Sequence, residues 1–196
     1  MTEAEWLACE DPRALFRLVD GKASQRKYLL LAVACCHLPP AYNPGYLASL
    51  SSQTEKFTAA LDFADGRADR TEVRRLWPIA EEDRSWPERG QEWAASWAYQ
   101  TELSLEDPLE RDIATLIRDI FGNPFRPVAF DPEWRTSTVV ALAQQMYDTR
   151  DFSAMPILAD ALQDAGCDSD DVLTHCRGTG PHVRGCWVVD AVLGKE

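Results

Sequence analysis

Between Asp107-Pro108 and Gly122 the apolar residues Leu109, Ile113, Leu116, Ile117 and Ile120 recur at a spacing that only a helix brings to one face. Asp107-Pro108 is a helix start with Glu110 as the third helical residue, and Gly122 is the stop. The same punctuation recurs along the chain. Thr2 and Glu5 form a capping box, and Asp11-Pro12 opens a second short helix that Asp20-Gly21 closes. Ser24 precedes a helix to about Leu38, stopped by Pro39-Pro40 and apolar on nearly every side, as a central helix is. Phe57, Leu61 and Ala64 mark a further helix from about Ser52 to Gly66, Thr71 starts a short one, and Gln91 to Leu103 reads as helical.

In the second half, Thr136 or Ser137 starts a helix carrying Val139, Leu142, Ala143, Met146 and Tyr147. Another runs from Ser153 to Gly166, and Asp168 or Ser169 caps a short one that Gly178 ends. Gly180-Pro181 predicts the start of a last helix, Val183 to Leu193. The stretch from Asn123 to Trp134 holds three prolines with Phe125, Val128 and Phe130, so it predicts an irregular segment packed across other elements. No alternating run is long enough for a strand. The expected fold is all-α, a multi-helix domain of about eight to ten helices without substantial sheet.

A chain of 196 residues fits one domain, 1–196, with a soft division near 104–107 where the composition changes. A formal charge of -12 repels nucleic acid and anionic membrane, so both are disfavoured, and it steers the chain toward basic protein surfaces or cationic small molecules. Met1 to Glu5 carries no basic segment followed by an apolar one, and no apolar run approaches the roughly 18 residues of a membrane span. A cytoplasmic protein with reduced cysteines is the expectation.

The densest chemistry lies from Cys167 to Trp187, where Cys167, Cys176, His182 and Cys186 follow the spacing C-x8-C-x5-H-x3-C. Thiolates and neutral imidazole are zinc ligands. The spacing resembles that of the CCCH zinc-finger family with its last two ligands exchanged, which would imply a zinc ion and, in that family, single-stranded RNA. Against it, Cys186 shares the apolar face of the last predicted helix with Trp187, and Cys176 sides with Val172 and Leu173, so packing in the core explains both. No cofactor is the simpler expectation and zinc, structural or hydrolytic, the alternative.

Other candidates reduce to structure. Asp190 amid Val188, Val189 and Val192 must either reach water or find a cation or backbone donors, with Arg184, Arg126 or His182 as candidates. Gly178 to His182 could bind an anion at a helix entrance, yet a helix stop followed by a helix start accounts for both glycines. Cys35-Cys36-His37 places thiols beside imidazole, but neighbours in sequence do not face each other on a helix. The cluster Arg67, Arg70, Arg74 and Arg75 is interleaved with acids and reads as a salt-bridged face. Trp86, Trp93 and Trp97, with Phe125 and Arg126 of the irregular segment, are the candidate contact surface for a partner.

The segments Thr2 to Leu7, Gly21 to Ser24, Ala34 to Cys36, Ile120-Phe121-Gly122-Asn123-Pro124-Phe125-Arg126-Pro127 and Gly180-Pro181-His182-Val183-Arg184-Gly185-Cys186-Trp187 together resemble an uncharacterised family of cytoplasmic proteins of planctomycete bacteria. The resemblance implies a helical fold and transfers no activity. With no complete catalytic set, the expected function is that of a non-enzymatic interaction or regulatory protein, with zinc binding as the alternative.

Overall fold

The structure, a computed structural model, describes residues 1–38, 54–69, 71 and 108–195. Among the described residues there are nine α-helices, one short 3-10 helix and no strand, as the spacing requires. Thr71 is helical, while the rest of the helix predicted from it, the predicted helix at Gln91 to Leu103, and the contact residues Trp86, Trp93 and Trp97 lie outside the described residues. No described helix is long and apolar enough to cross a membrane. The chain divides into two compact units, Met1–Ile117 and Arg118–Glu196.

In the first unit, α1 (Glu3–Ala8) starts with the predicted capping box, α2 (Pro12–Val19) is capped by Asp11, and α3 (Gln25–Cys36) is capped by Ser24. Every residue from Tyr28 to Val33 is buried, so the helix without a polar side is a central one. Helix α3 packs on α4 (Thr54–Ala64). The buried Tyr28 hydroxyl donates to the Val19 carbonyl at 2.7 Å and accepts the N–H groups of Lys22 and Ala23 at 3.2 and 3.3 Å. That one side chain therefore fixes the turn between α2 and α3. Asp65, whose side chain is wholly buried, is held by Arg26 at 3.2 Å and Arg67 at 3.0 Å, so Arg67 belongs to a salt-bridged face as its acidic neighbours implied. Helix α5 (Pro108–Phe121) spans the division between the units and ends at Gly122, whose φ of 70° suits a residue without a Cβ.

In the second unit, Asn123 to Trp134 is irregular up to a 3-10 turn at Pro132–Trp134, and Val128, Phe130 and Trp134 pack against the apolar cluster. Helices α6 (Ser137–Thr149, capped by Thr136), α7 (Met155–Asp164), α8 (Asp170–Arg177, capped by Ser169) and α9 (Trp187–Leu193) follow. Helix α7 packs on α6 and α8, and α9 on α6 and α8. Their common core includes Val139, Met146, Leu158, Leu162, Val172, Val188 and Val192.

The last helix begins later than Gly180-Pro181 predicts. Val183 to Cys186 are not helical, and α9 is only seven residues long with Cys186 as its N-cap. Two causes act together. Gly185 takes a φ of 100°, which no α-helix accommodates, and the Val183 N–H is drawn away to a side-chain carboxylate. His182 and Cys186 are consequently loop and cap residues instead of neighbours on one helical face.

Candidate metal centre

Three elements of the second unit supply the site. The last turn of α5 presents Asp119, the last turn of α8 presents His175, and the loop into α9 presents His182 and Cys186. One ligand atom from each of these four residues lies within 4.8 Å of all the others. Two segments conspicuous in the sequence, Ile120 to Pro127 and Gly180 to Trp187, thus adjoin or contain the site.

Asp119 is the hub, only 3% exposed. Its Oδ1 accepts from His182 Nδ1 at 2.7 Å and stands 3.2 Å from His175 Nε2, while its Oδ2 accepts the Val183 N–H at 2.9 Å. Burial by itself pushes the Asp119 carboxyl up, but the hydrogen bonds and positive charge of His175 and His182 outweigh it and the net direction is down. The carboxylate is therefore kept ionised in a place where an unpaired charge would be very costly. The Val183 amide, which follows the Gly178 to His182 loop, is occupied by this internal carboxylate.

His175 Nε2 also lies 3.2 Å from Cys186 Sγ. A single nitrogen thus faces an oxygen and a sulfur at the same distance. Cys186 is wholly buried, and burial followed by the Asp119 charge pushes its thiol well up. This arrangement is no nucleophilic triad. In such a relay the imidazole joins thiol and carboxylate through its two different nitrogens, whereas here Nε2 faces both. An activated thiol is also accessible and shifted down, the reverse of Cys186.

Two rings confine His175. The His182 ring lies edge-on with centroids 4.9 Å apart, and the Trp187 indole is tilted against it at 5.1 Å. His182 Nε2 is buried and pairs with no group among the described residues.

Of the four ligands expected from the spacing, His182 and Cys186 enter this cluster, and Cys167 and Cys176 stand outside it, in the apolar core. Burial raises the Cys167 thiol and, with the nearby Cys167 and Asp119 charges, pushes Cys176 up to about 12. Both behave as small hydrophobes. Asp119 and His175 take the two remaining places. Asp190 is buried and engaged in an interaction, while His182 contacts Asp119 and Arg126 pairs with Asp171 at 3.5 Å. Arg184 lies over the Tyr147 ring at 4.5 Å. Phe125 is 38% exposed and the Arg126 side chain 59% exposed, both on the irregular segment. Cys35 is buried in α3, and His37 Nδ1 is engaged with the Val33 carbonyl at 2.8 Å.

No family model, curated protein or solved structure matches the chain.

Proposed function

We propose that this is a zinc-binding protein in which Asp119, His175, His182 and Cys186 hold the ion in a closed, structural site. The supporting observation is the convergence of one carboxylate, two imidazoles and one thiol within 4.8 Å. With Zn–N and Zn–O near 2.0 Å and Zn–S near 2.3 Å, a tetrahedron has edges of about 3.3 Å between nitrogen or oxygen donors and about 3.5 Å to sulfur. The distances of 3.2 Å from His175 Nε2 to Asp119 Oδ1 and to Cys186 Sγ lie close to both. The 2.7 Å contact of His182 Nδ1 is a hydrogen bond that must lengthen by about half an ångström as zinc replaces its proton.

Charge and softness favour the same ion. A divalent cation with one thiolate and one carboxylate is neutral overall, which limits the cost of burying it. A thiolate with two imidazoles selects a borderline ion such as zinc over magnesium or calcium, which take all-oxygen shells. Four protein donors leave no open position for water, so the structural role is favoured over a hydrolytic one.

Zinc titration of the metal-free full chain by calorimetry tests this reading. One ion per chain should bind, and Cys186→Ala or His175→Ala should each abolish or greatly weaken it. Equal binding by Cys167→Ala and Cys176→Ala variants is part of the prediction.

A second reading, a protein-interaction or regulatory role, is favoured by the exposure of Phe125 next to Arg126. If Phe125 anchors a partner, Phe125→Ser weakens its capture while Ile157→Ser, at an exposed apolar residue elsewhere in the unit, leaves it unchanged.

A further inference from the structure

Resting on the zinc reading, we infer that Trp187 is a positioning residue that sets the plane of the His175 imidazole, and that Gly122 is the residue that makes room for it. His175 stands at the end of α8 with its ring packed against the His182 ring and the Trp187 indole, at 4.9 and 5.1 Å between centroids. A histidine ring turns readily about its terminal torsion, which is broad and nearly two-fold. Only orientations that point Nε2 at Asp119 and Cys186 together serve a shared centre. The two rings packed against the imidazole restrict its turning, and Trp187 is the one of them that is not itself a proposed ligand.

Trp187 is itself held by a close approach to backbone. A Cβ placed on Gly122 would meet the indole at 3.2 Å from Cγ, 3.4 Å from Cδ2 and 3.5 Å from Cδ1. Gly122 is thus doubly specified, by its φ of 70° at the end of α5 and by the indole lying against it. Asp119 lies one turn before Gly122 on the same helix end, and Cys186 immediately precedes Trp187. The contact between Gly122 and Trp187 therefore joins the segment bearing the carboxylate to the segment bearing the thiol, and the indole passes that placement on to His175. Groups that orient a metal-bound histidine commonly govern affinity by about 10- to 100-fold.

Cobalt(II) substitution of the full chain provides the test, since its visible spectrum reports ligand geometry as well as occupancy. Trp187→Phe, which retains a flat ring, should bind cobalt within about threefold of the unaltered protein and keep its band positions. Trp187→Leu, which fills space without a plane, should keep the far-ultraviolet helical signal, bind at least about tenfold more weakly and shift the cobalt bands. A folded Trp187→Leu protein with unchanged affinity and unchanged bands overturns the role of Trp187. Should Trp187→Leu fail to fold, Trp187→Phe decides, because a ring-dependent site keeps its cobalt spectrum in that variant and a loss of spectrum contradicts the inference. Failure of the unaltered protein to bind cobalt or zinc is a different result; it rejects the metal site itself, and this role with it.

Discussion

Cys186 and His175, on opposite sides of a glycine-containing loop, meet at 3.2 Å between Sγ and Nε2. The contact gives the loop from Gly178 to Gly185 a fixed closure, because one end carries His175 and the other Cys186. If the pair is shared by an ion, removal of the sulfur separates metal affinity from folding. Cys186→Ala should cost the metal-free protein about 1–2 kcal/mol, the loss of a small group from a packed site. Its zinc affinity should fall by roughly 100-fold or more, beyond what orienting groups alone control. Urea unfolding without metal and zinc titration of the same protein measure the two effects; a parallel small change in both would contradict the assignment.

Zinc uptake should release protons. Burial holds Cys186 as a thiol well above neutrality, and zinc takes it as thiolate, so at least about one proton leaves per ion bound near pH 7. Calorimetry in buffers of different ionisation enthalpy counts them. Affinity should accordingly weaken as pH falls, and binding without proton release would show that Cys186 is not a ligand.

Asp119 makes an acid-side prediction for the metal-free protein. Its folded carboxyl lies below the ordinary value, because the hydrogen bonds and charge of the two histidines outweigh burial. A depressed folded value means that the stabilisation is complete above the unfolded value of about 3.9 and is lost as pH falls through the folded one. Between pH 6 and pH 3 the unaltered protein should therefore lose more stability than Asp119→Asn does. Urea midpoints at the two values decide, and equal losses would remove Asp119 from the acid transition.

The first unit offers a prediction independent of metal. Tyr28→Phe removes the donor to the Val19 carbonyl and the acceptor of two loop N–H groups, all at one buried hydroxyl. A cost of about 1–3 kcal/mol is expected from polar groups left unsatisfied. Chemical denaturation followed by far-ultraviolet circular dichroism measures it. A change under about 0.5 kcal/mol, typical of a neutral surface substitution, would mean that this hydroxyl does not hold the α2–α3 turn.

The helices were legible because their signals are local. Thr2, Asp11, Ser24, Thr136 and Ser169 each cap the helix that follows, as their side-chain oxygens can do without tertiary help. The site was legible only by half, since a ligand spacing read along one stretch finds His182 and Cys186 but not a carboxylate 63 positions from His182. Asp119 did carry a signal, an acid beside Ile120 on a helix with a regular apolar face, of the same kind that singled out Asp190. His175 carried less, being one basic residue in a last helical turn, where a favourable interaction with the helix dipole already explains it. The start of α9 was misplaced because Gly180-Pro181 has the form of a helix entrance. What defeats that entrance is Gly185 at φ 100° and the capture of the Val183 N–H by Asp119, a contact between distant segments.

Zinc content and coordination of the full chain, purified without chelator, test the central claim most directly. One zinc per chain is predicted, with X-ray absorption showing one sulfur near 2.3 Å and three nitrogen or oxygen donors near 2.0–2.1 Å. Two or more sulfurs would return Cys167 or Cys176 to the coordination sphere, and a metal-free protein that takes up no zinc on titration would contradict the account outright.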